Sequence, residues 1–166
     1  MAESVSGKYS VTAVNVSDED TIAAFSEVHR AAFEAQNENG WAEKSIKSSL
    51  EISGTAGFVF KDGEQTVGAL MVRTVCDESE LITVAVHPEW QLKGVGKWIL
   101  SFMVDYLKGQ NVATCFLEVR QDNLKAVSLY SKIGFVQVGF RRGYYQNREG
   151  KRTDALLYSF DLLNKK

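Results

Sequence analysis

The spacing of apolar and polar residues predicts one strand and two helices at the start of the chain. Residues Tyr9–Val16 alternate between apolar and polar side chains, which is typical of a strand with one buried face. The acidic run after it predicts a helix with Ser17 or Asp18 as its N-cap. The apolar face of this helix carries Ile22, Phe25, Val28 and Phe33. A polar break at residues 36–40 separates it from a second helix, predicted over residues 41–52.

Further strands follow, beginning with a hairpin over residues 56–75. Asp62-Gly63 supplies its turn, because glycine tolerates the positive φ that a tight turn requires. Residues 80–86 are apolar enough to form a strand buried on both faces, and residues 112–119 form another buried strand. The two last strands are predicted at residues 135–140 and 155–163.

Two more helices are predicted between these strands. The first follows Gly94 and Gly96, and its apolar face carries Val95, Ile99, Phe102 and Tyr106. The second ends before Gly134, a residue suited to the position after a helix end. Its apolar face carries Ala126, Leu129, Tyr130 and Ile133.

The order of these elements is β-α-α-β-β-β-α-β-α-β-β. A strand–helix–strand unit implies a parallel pair of strands, and hairpins imply antiparallel pairs. We therefore expect an α/β fold with a mixed sheet covered by helices. The 166 residues contain a single proline, Pro88, and no linker or internal repeat, so one domain is predicted over residues 1–166.

The charge balance argues against binding to nucleic acid or to membranes. The net charge of −2 gives no pull toward nucleic acid or membranes, so neither is expected as a partner. Residues 1–60 carry four basic against nine acidic side chains, which favours either a basic substrate or simply a solvated helix surface. The N-terminal residues include no apolar segment, and no apolar run could span a bilayer. We therefore expect a cytoplasmic protein.

The cysteine and histidine content argues against metal and disulfide chemistry. Cys76 and Cys115 lie far apart, neither belongs to a C-x-x-C pair, and only two histidines are present. A zinc site or disulfide framework is not expected, and no metal is predicted. The apolar neighbours of Cys115 indicate an inert core thiol rather than a nucleophile.

A glycine turn in the segment WQLKGVGKWIL, Trp90–Leu100, is the first candidate for chemistry. A Walker loop is excluded, because position 91 is glutamine instead of glycine and position 98 is tryptophan instead of serine or threonine. A dinucleotide fingerprint is excluded, because position 99 is isoleucine instead of glycine. Two interpretations remain: a helix start whose amides bind an anion, or a tight turn without a ligand.

The segment VAVHPEWQLKGVGKWIL resembles the acetyl-CoA loop of the GNAT superfamily of N-acetyltransferases, whose pattern is Q/R-x-x-G-x-G/A. The order of strands and helices is also that of the family. The resemblance implies a seven-stranded, mostly antiparallel mixed sheet with four helices, whose central parallel strands splay around the cofactor. It implies acetyl-CoA as cosubstrate, its pantetheine arm on the strand residues and its pyrophosphate on the loop. The residues so implied are Val84, Ala85, Val86, Gln91, Leu92, Lys93, Gly94, Val95, Gly96 and Lys97.

Residues 117–135 resemble the RimI branch of this family, the ribosomal-protein N-terminal alanine acetyltransferases. The branch pattern L-E-V-R-x-x-N-x-x-A-x-x-L-Y-x-x-x-G-F is present there in full. The resemblance implies transfer to a protein N-terminus, the alanine of a small-subunit ribosomal protein, directly within a ternary complex. Two alternatives stay open: acetylation of a small-molecule amine or lysine side chain, and a non-catalytic module that binds coenzyme A.

Glu118 and Tyr130 are the candidate catalytic residues. Glu118 lies near the end of an apolar strand, where an acid is costly unless it is solvated or paired. The resemblance implies that it is the general base, and an ion pair with Arg120 or Arg141 is the alternative. Tyr130 is at a core position of its helix, and the resemblance implies that its hydroxyl is the general acid for the leaving thiolate.

The resemblance also implies several binding residues. Asn123 is placed as an N-cap, and its side chain would also bond the pantetheine arm. The amide of Val86 would be the oxyanion donor. Substrate contacts are implied for Trp41, Arg141, Tyr144 and Tyr145, the last three on the sixth strand and the loop after it. Trp41 departs from the branch pattern P-W-x-E, because position 40 is glycine instead of proline.

Overall fold

A computed structural model of the protein describes residues 9–164. The chain forms seven strands and four α-helices in the predicted order, with one short 3₁₀ helix. Their bounds are β1 Tyr9–Val14, α1 Glu19–Glu34, α2 Glu43–Leu50, β2 Thr55–Asp62, β3 Gln65–Val75, β4 Glu78–Val86, the 3₁₀ helix Pro88–Trp90, α3 Val95–Gly109, β5 Thr114–Arg120, α4 Leu124–Ile133, β6 Val136–Gln146 and β7 Arg152–Asp161.

The strands form one sheet in the order β1-β2-β3-β4-β5-β7-β6. β4 and β5 are parallel, with Glu78–Glu80 beside Thr114–Phe116. β1 pairs antiparallel with β2, and β7 pairs antiparallel with both β5 and β6. The predicted mixed sheet with four helices and a central parallel pair is therefore confirmed. The predicted splay of β4 from β5 stays a prediction.

Within the described residues, the chain divides into two compact units. The first comprises the described residues up to Val72 together with Thr83–Ile99. The second comprises Arg73–Ile82 together with the described residues from Leu100 onward. The prediction of a single domain over residues 1–166 stays a prediction.

In the first unit, α1 begins where its N-cap was predicted. Asp18 Oδ1 accepts hydrogen bonds from the backbone N–H groups of Asp20 (3.1 Å) and Thr21 (3.3 Å). These are two of the donors that the start of a helix leaves without an internal partner. Three of the four predicted apolar positions are buried, and Phe33 is half-buried.

Two predictions about burial are wrong in part. β4 is buried on one face only. Thr83 and Ala85 are buried, whereas Val84 and Val86, which alternate with them along the strand, are half-exposed. In α3, Val95 and Ile99 are buried as predicted, but Phe102 and Tyr106 are half-exposed. The fully buried positions beyond Ile99 are Leu100, Met103 and Leu107. Apolar residues surround most of this helix, so helical spacing alone allows more than one buried face.

In the second unit, α4 has the predicted bounds and caps. Gly134 has a φ of 123°, and its N–H and that of Phe135 both donate to the carbonyl of Tyr130. β5 carries its buried residues on one face, while Phe116 on the other face is 38% exposed. β6 is longer than predicted and reaches Gln146.

Among the helices in residues 9–164, none combines the length and the apolar character needed to cross a membrane. This agrees with the absence of a long apolar run in the sequence.

We expect Asp18→Ala to lower the free energy of unfolding by about 1 kcal/mol, because two N–H groups of α1 lose their acceptor. Denaturant unfolding followed by circular dichroism measures this change. Glu27→Ala, an exposed position on the same helix, is the control and should change the value by less than about 0.5 kcal/mol. Equal effects of the two substitutions would contradict the cap.

Candidate active site

The glycine turn follows directly after β4 in the first unit. Gln91 Nε2 donates to the Val86 carbonyl (3.2 Å), which ties the turn to the last residue of the strand. The N–H of His87 donates to the Val67 carbonyl on β3 (2.8 Å). The chain is therefore held at both ends of the 3₁₀ helix before it enters the turn.

Two residues of the turn adopt left-handed backbone conformations. Leu92 has a φ of 62° and Gly94 a φ of 83°. This conformation costs little for glycine but is uncommon for leucine, whose side chain is 87% exposed. Non-glycine residues in this region are concentrated at functional sites.

The start of α3 presents backbone donors at this turn. The N–H of Trp98 donates to the Gly94 carbonyl (3.1 Å), which begins the helical ladder. The amides of Val95, Gly96 and Lys97 precede that bond, as the first N–H groups of a helix do. Together with the positive end of the helix dipole, they form a setting that favours an anion.

Cations flank the same turn. Lys93 and Lys97 are both exposed, and Lys93 Nζ lies 5.9 Å from the centre of the Trp90 ring. Two positive side chains beside helix-start amides fit a diphosphate group. They do not fit a magnesium nucleotide, because the turn lacks the hydroxyl that a Walker loop offers the metal.

In the second unit, Glu118 is half-buried on β5 and has a cationic partner. Arg141 Nη2 lies 3.1 Å from Glu118 Oε1. Arg120 instead pairs with Asp122, through two contacts of 3.0 Å. Of the two partners that the sequence allowed, Arg141 lies within ion-pair distance of Glu118.

Tyr130 is on the buried face of α4 and is 6% exposed. Its ring meets Phe135 edge to face, with centroids 5.8 Å apart. Burial raises the pKa of the Tyr130 hydroxyl, and the neighbouring Tyr145 and Cys115 add to the effect. The hydroxyl therefore holds its proton at neutral pH, as a proton donor must.

Asn123 caps α4 as predicted, and its Oδ1 accepts from the N–H of Ala126 (3.2 Å). The amide nitrogen of the side chain is not used by this cap. Its predicted bond to the pantetheine arm stays a prediction.

The aromatic pair Tyr144 and Tyr145 lies within β6 rather than in a loop, which corrects the sequence prediction. Their rings meet at nearly right angles, with centroids 5.2 Å apart. Arg141 lies 5.3 Å from the Tyr144 ring, and Arg120 lies 5.9 Å from the Tyr145 ring. Each of the two rings thus lies close to an arginine, Tyr145 to Arg120 of β5 and Tyr144 to Arg141 of β6.

Asp154 is a functional candidate that the sequence analysis missed. The register of β6 shifts between Arg141 and Tyr145, and Gly143 in this irregularity has a φ of 58°. Asp154 Oδ1 accepts from the N–H of Gly143 (2.8 Å) and so fixes the irregularity. The contact of Asp154 with Gly143 has no signal in the sequence.

Trp41 lies in the first unit and is half-buried. Its backbone N–H donates to His29 Nδ1 (3.0 Å), and its backbone carbonyl accepts from Ser26 Oγ (2.7 Å). The sequence did not single out His29 or Ser26, because isolated polar residues on an apolar helix face carry no distinctive pattern.

Cys115 and the remaining possible metal ligands lie in surroundings that bear on thiol and metal chemistry. Cys115 is buried, and burial raises its pKa to about 12, so its thiol stays protonated. This supports the inert core thiol. Within residues 9–164, no group of three or more His, Cys, Asp and Glu side chains is arranged to hold a metal ion.

Comparison with known proteins identifies the family of this chain. Residues 18–135 match the model of the acetyltransferase (GNAT) family. The chain belongs to this family. It is therefore an N-acetyltransferase that uses acetyl-CoA. The GNAT fold and the RimI-like character predicted from the sequence are confirmed.

The relatives of this GNAT protein include N-terminal acetyltransferases. The ribosomal protein bS18 alanine N-acetyltransferase of Escherichia coli K12 is 33% identical over 122 residues, which are 74% of this chain and 81% of that protein. The N-alpha-acetyltransferase RimI of Mycobacterium tuberculosis is 42% identical over 74 residues, 45% of each chain.

Solved structures agree with the fold. The crystal structure of the ribosomal-protein alanine N-acetyltransferase from Escherichia coli has a TM-score of 0.82 at 26% identity, covering 95% of this chain and 96% of that chain. A spermidine N-acetyltransferase from Vibrio cholerae, solved with CoA and spermine, has a TM-score of 0.77 at 19% identity, covering 95% and 99%. The second likeness concerns the fold alone.

We expect native protein to take up one equivalent of a maleimide at pH 8, at the exposed Cys76. Cys115 should stay unmodified, because burial keeps it protonated and inaccessible. Mass spectrometry of the intact protein measures the uptake. The Cys76→Ser variant is the control: it should react only after denaturation, and rapid native labelling would contradict the inert thiol.

Proposed function

We propose that this protein acetylates the N-terminal alanine of a small-subunit ribosomal protein, in the cytoplasm and by direct transfer within a ternary complex. The observation that carries the proposal is the likeness to the Escherichia coli relative over 74% of this chain, since its name gives the alanine of bS18 as the acceptor. The ion-paired Glu118 and the buried Tyr130 support it as groups suited to the proton transfers of the reaction.

We assign the binding of acetyl-CoA, which supplies the acetyl thioester, to the glycine turn and the last residues of β4. The helix-start amides and the flanking Lys93 and Lys97 suit the pyrophosphate. The half-exposed face of Val84 and Val86 suits the pantetheine arm, and Asn123 has an amide nitrogen to offer it.

The acceptor has to lose a proton before it can attack. An N-terminal α-amine has an ordinary pKa of about 7.7–8.0, so it is largely protonated at neutral pH. We assign removal of this proton to the carboxylate of Glu118, directly or through water. Arg141 holds the carboxylate in one orientation through the 3.1 Å contact.

The transfer then needs a donor for the developing oxyanion and a proton for the leaving sulfur. We assign the first role to the backbone amide of Val86. We assign the second to Tyr130, because its hydroxyl carries its proton at neutral pH.

The acceptor chain needs contacts beyond its amine. We assign these to Trp41 in the first unit and to Arg141, Tyr144 and Tyr145 on β6 in the second. In each unit, an accessible aromatic side chain provides apolar contact area together with a polar group, and on β6 the cation of Arg141 lies close to the Tyr144 ring.

We expect Tyr130→Phe to lower kcat by roughly a hundredfold or more, because the leaving sulfur loses its proton donor. Binding of acetyl-CoA, measured by calorimetry, should be unchanged. Tyr158→Phe is a matched control, because Tyr158 is also 6% exposed but is on β7 and has no assigned role. Similar losses in both variants, or none in Tyr130→Phe, would contradict the assignment.

A panel of acceptors tests the substrate. It contains peptides of one sequence that begin with alanine, serine or methionine, an N-terminally blocked peptide with an internal lysine, and spermidine. We expect the alanine peptide to have a kcat/KM at least about tenfold above the others, with the acetyl group on its α-amine by fragment mass spectrometry. Equal or faster turnover of the blocked peptide or of spermidine would overturn the proposed acceptor.

A further inference from the structure

His29 is a buried histidine to which neither the mechanism nor the sequence analysis gives a role. It is 0% exposed, on α1 in the first unit. Its ring stacks on Phe33 with centroids 4.1 Å apart and lies 5.0 Å from the ring of Trp41. A polar ring enclosed in this way is stable only if both nitrogens have partners.

The hydrogen bonds of His29 define its protonation state. Nδ1 accepts from the backbone N–H of Trp41 (3.0 Å), so Nδ1 carries no proton. Nε2 therefore carries the proton and donates to Thr83 Oγ1 on β4 (2.8 Å). Burial lowers the pKa of His29 to about 4, so the ring is neutral at physiological pH. One neutral imidazole thus joins Trp41 to β4.

Two further contacts hold the same short segment, residues 40–42, against α1. Ser26 Oγ donates to the Trp41 carbonyl (2.7 Å), so both polar groups of the Trp41 backbone are bound by α1 side chains. Gly40 lies so close to the helix that a Cβ at this position would be 2.2 Å from Arg30 Cα. A side chain at this position would clash with the backbone of the helix, so only glycine fits there.

The far end of this connection is on the strand to which we assign the acetyl donor. Thr83 and Ala85 lie on the buried face of β4, and Val84 and Val86 lie on its half-exposed face. A movement of residues 40–42 away from α1 therefore has to break the bonds of the Trp41 backbone to His29 and Ser26. The Trp41 backbone is also linked to Thr83 of β4 through one imidazole ring.

We propose that His29 is a positioning residue for the acceptor: it holds residues 40–42 on α1 and β4 and thereby fixes Trp41 where the acceptor chain binds. The proposal rests on the proposed function, since it takes Trp41 as an acceptor contact. His29 acts through Trp41 and touches neither substrate. Its removal should weaken acceptor binding and leave donor binding unchanged.

The kinetic test compares His29→Leu with His29→Gln, using the best acceptor of the panel described above. Leucine keeps most of the volume but neither hydrogen bond, so KM for the acceptor should rise about tenfold. KM for acetyl-CoA should stay within about twofold, the scatter expected for an unrelated site. Glutamine can accept and donate in place of the imidazole and should recover most of the loss.

Matched variants separate positioning from simple loss of stability. Thr83→Val removes only the acceptor at the β4 end and should raise the acceptor KM in the same direction as His29→Leu. Thr74→Val is the control. It removes a hydrogen bond between the hydroxyl groups of Thr74 on β3 and Ser79 on β4, both in the second unit, and should leave the KM for the acceptor and the KM for acetyl-CoA unchanged. A loss of kcat that follows the melting temperature in all variants, with no change in acceptor KM, would overturn the proposal.

A readout without turnover distinguishes failure of this inference from failure of the proposed function. ¹⁵N NMR of the wild type should show the neutral Nε2–H tautomer of His29 from pH 6 to pH 8. The Trp41 amide should exchange slowly, and His29→Leu should speed its exchange about tenfold or more. Gly40→Ala should do the same by pushing the segment off α1. Unchanged exchange would overturn the inference, whereas a panel without any acetylated peptide would overturn only the proposed function.

Discussion

The ion pair between Glu118 and Arg141 depends on one extra residue in β6. β7 lies between the two strands that carry the pair, and its residues Leu157 and Ala155 face Glu118 and Arg141 in the register. The pairing of β6 with β7 shifts between Gln137 and Gly139, so Val138 is a bulge residue without a place in the alternation. Side chains alternate between the faces of a strand, and one inserted residue therefore moves every later side chain to the opposite face.

Without this bulge, Arg141 would face Asp154 and lie on the face opposite Glu118. The carboxylate, half-buried on β5, would then lose the cation that compensates its partial desolvation. A second irregularity, held by the bond from Gly143 to Asp154, follows before Tyr145. The chemistry of the second unit is thus determined by the register of its edge strand as much as by its side chains.

Features fixed by local interactions could be predicted from the sequence, and features fixed by register or packing could not. Asp18, Asn123 and Gly134 cap helices through bonds to neighbours within a few residues, and all three were predicted. The bulge at Val138 has no local signature, since valine suits any strand position. The buried face of α3 was misjudged because its apolar residues surround the helix. His29 and Ser26 gave no signal, since their partner Trp41 is twelve to fifteen residues away.

The glycine turn also combines features that the sequence predicts with features that it does not. The pattern Q-x-x-G-x-G drew attention to two glycines, but only Gly94 has the left-handed backbone that requires one. Gly96 is within α3, and the other left-handed residue is Leu92, which no pattern based on glycine would select. Exclusion of the nucleotide motifs depended on residues that have to be present for that chemistry. The glycine pattern by itself leaves open whether the turn binds an anion or has no ligand.

Catalysis and acceptor choice place different demands on this chain. Deprotonation of an amine and protonation of a sulfur are needed for every acceptor, so the roles proposed for Glu118 and Tyr130 do not discriminate between a peptide and a polyamine. A fold shared with a spermidine acetyltransferase does not discriminate either. Discrimination has to come from groups that contact the acceptor beyond its amine, and their positions have to be fixed before binding if they are to reject a poor fit. As the acceptor contact proposed above, Trp41 meets that requirement, because both of its backbone polar groups are bound and the preceding Gly40 packs on α1.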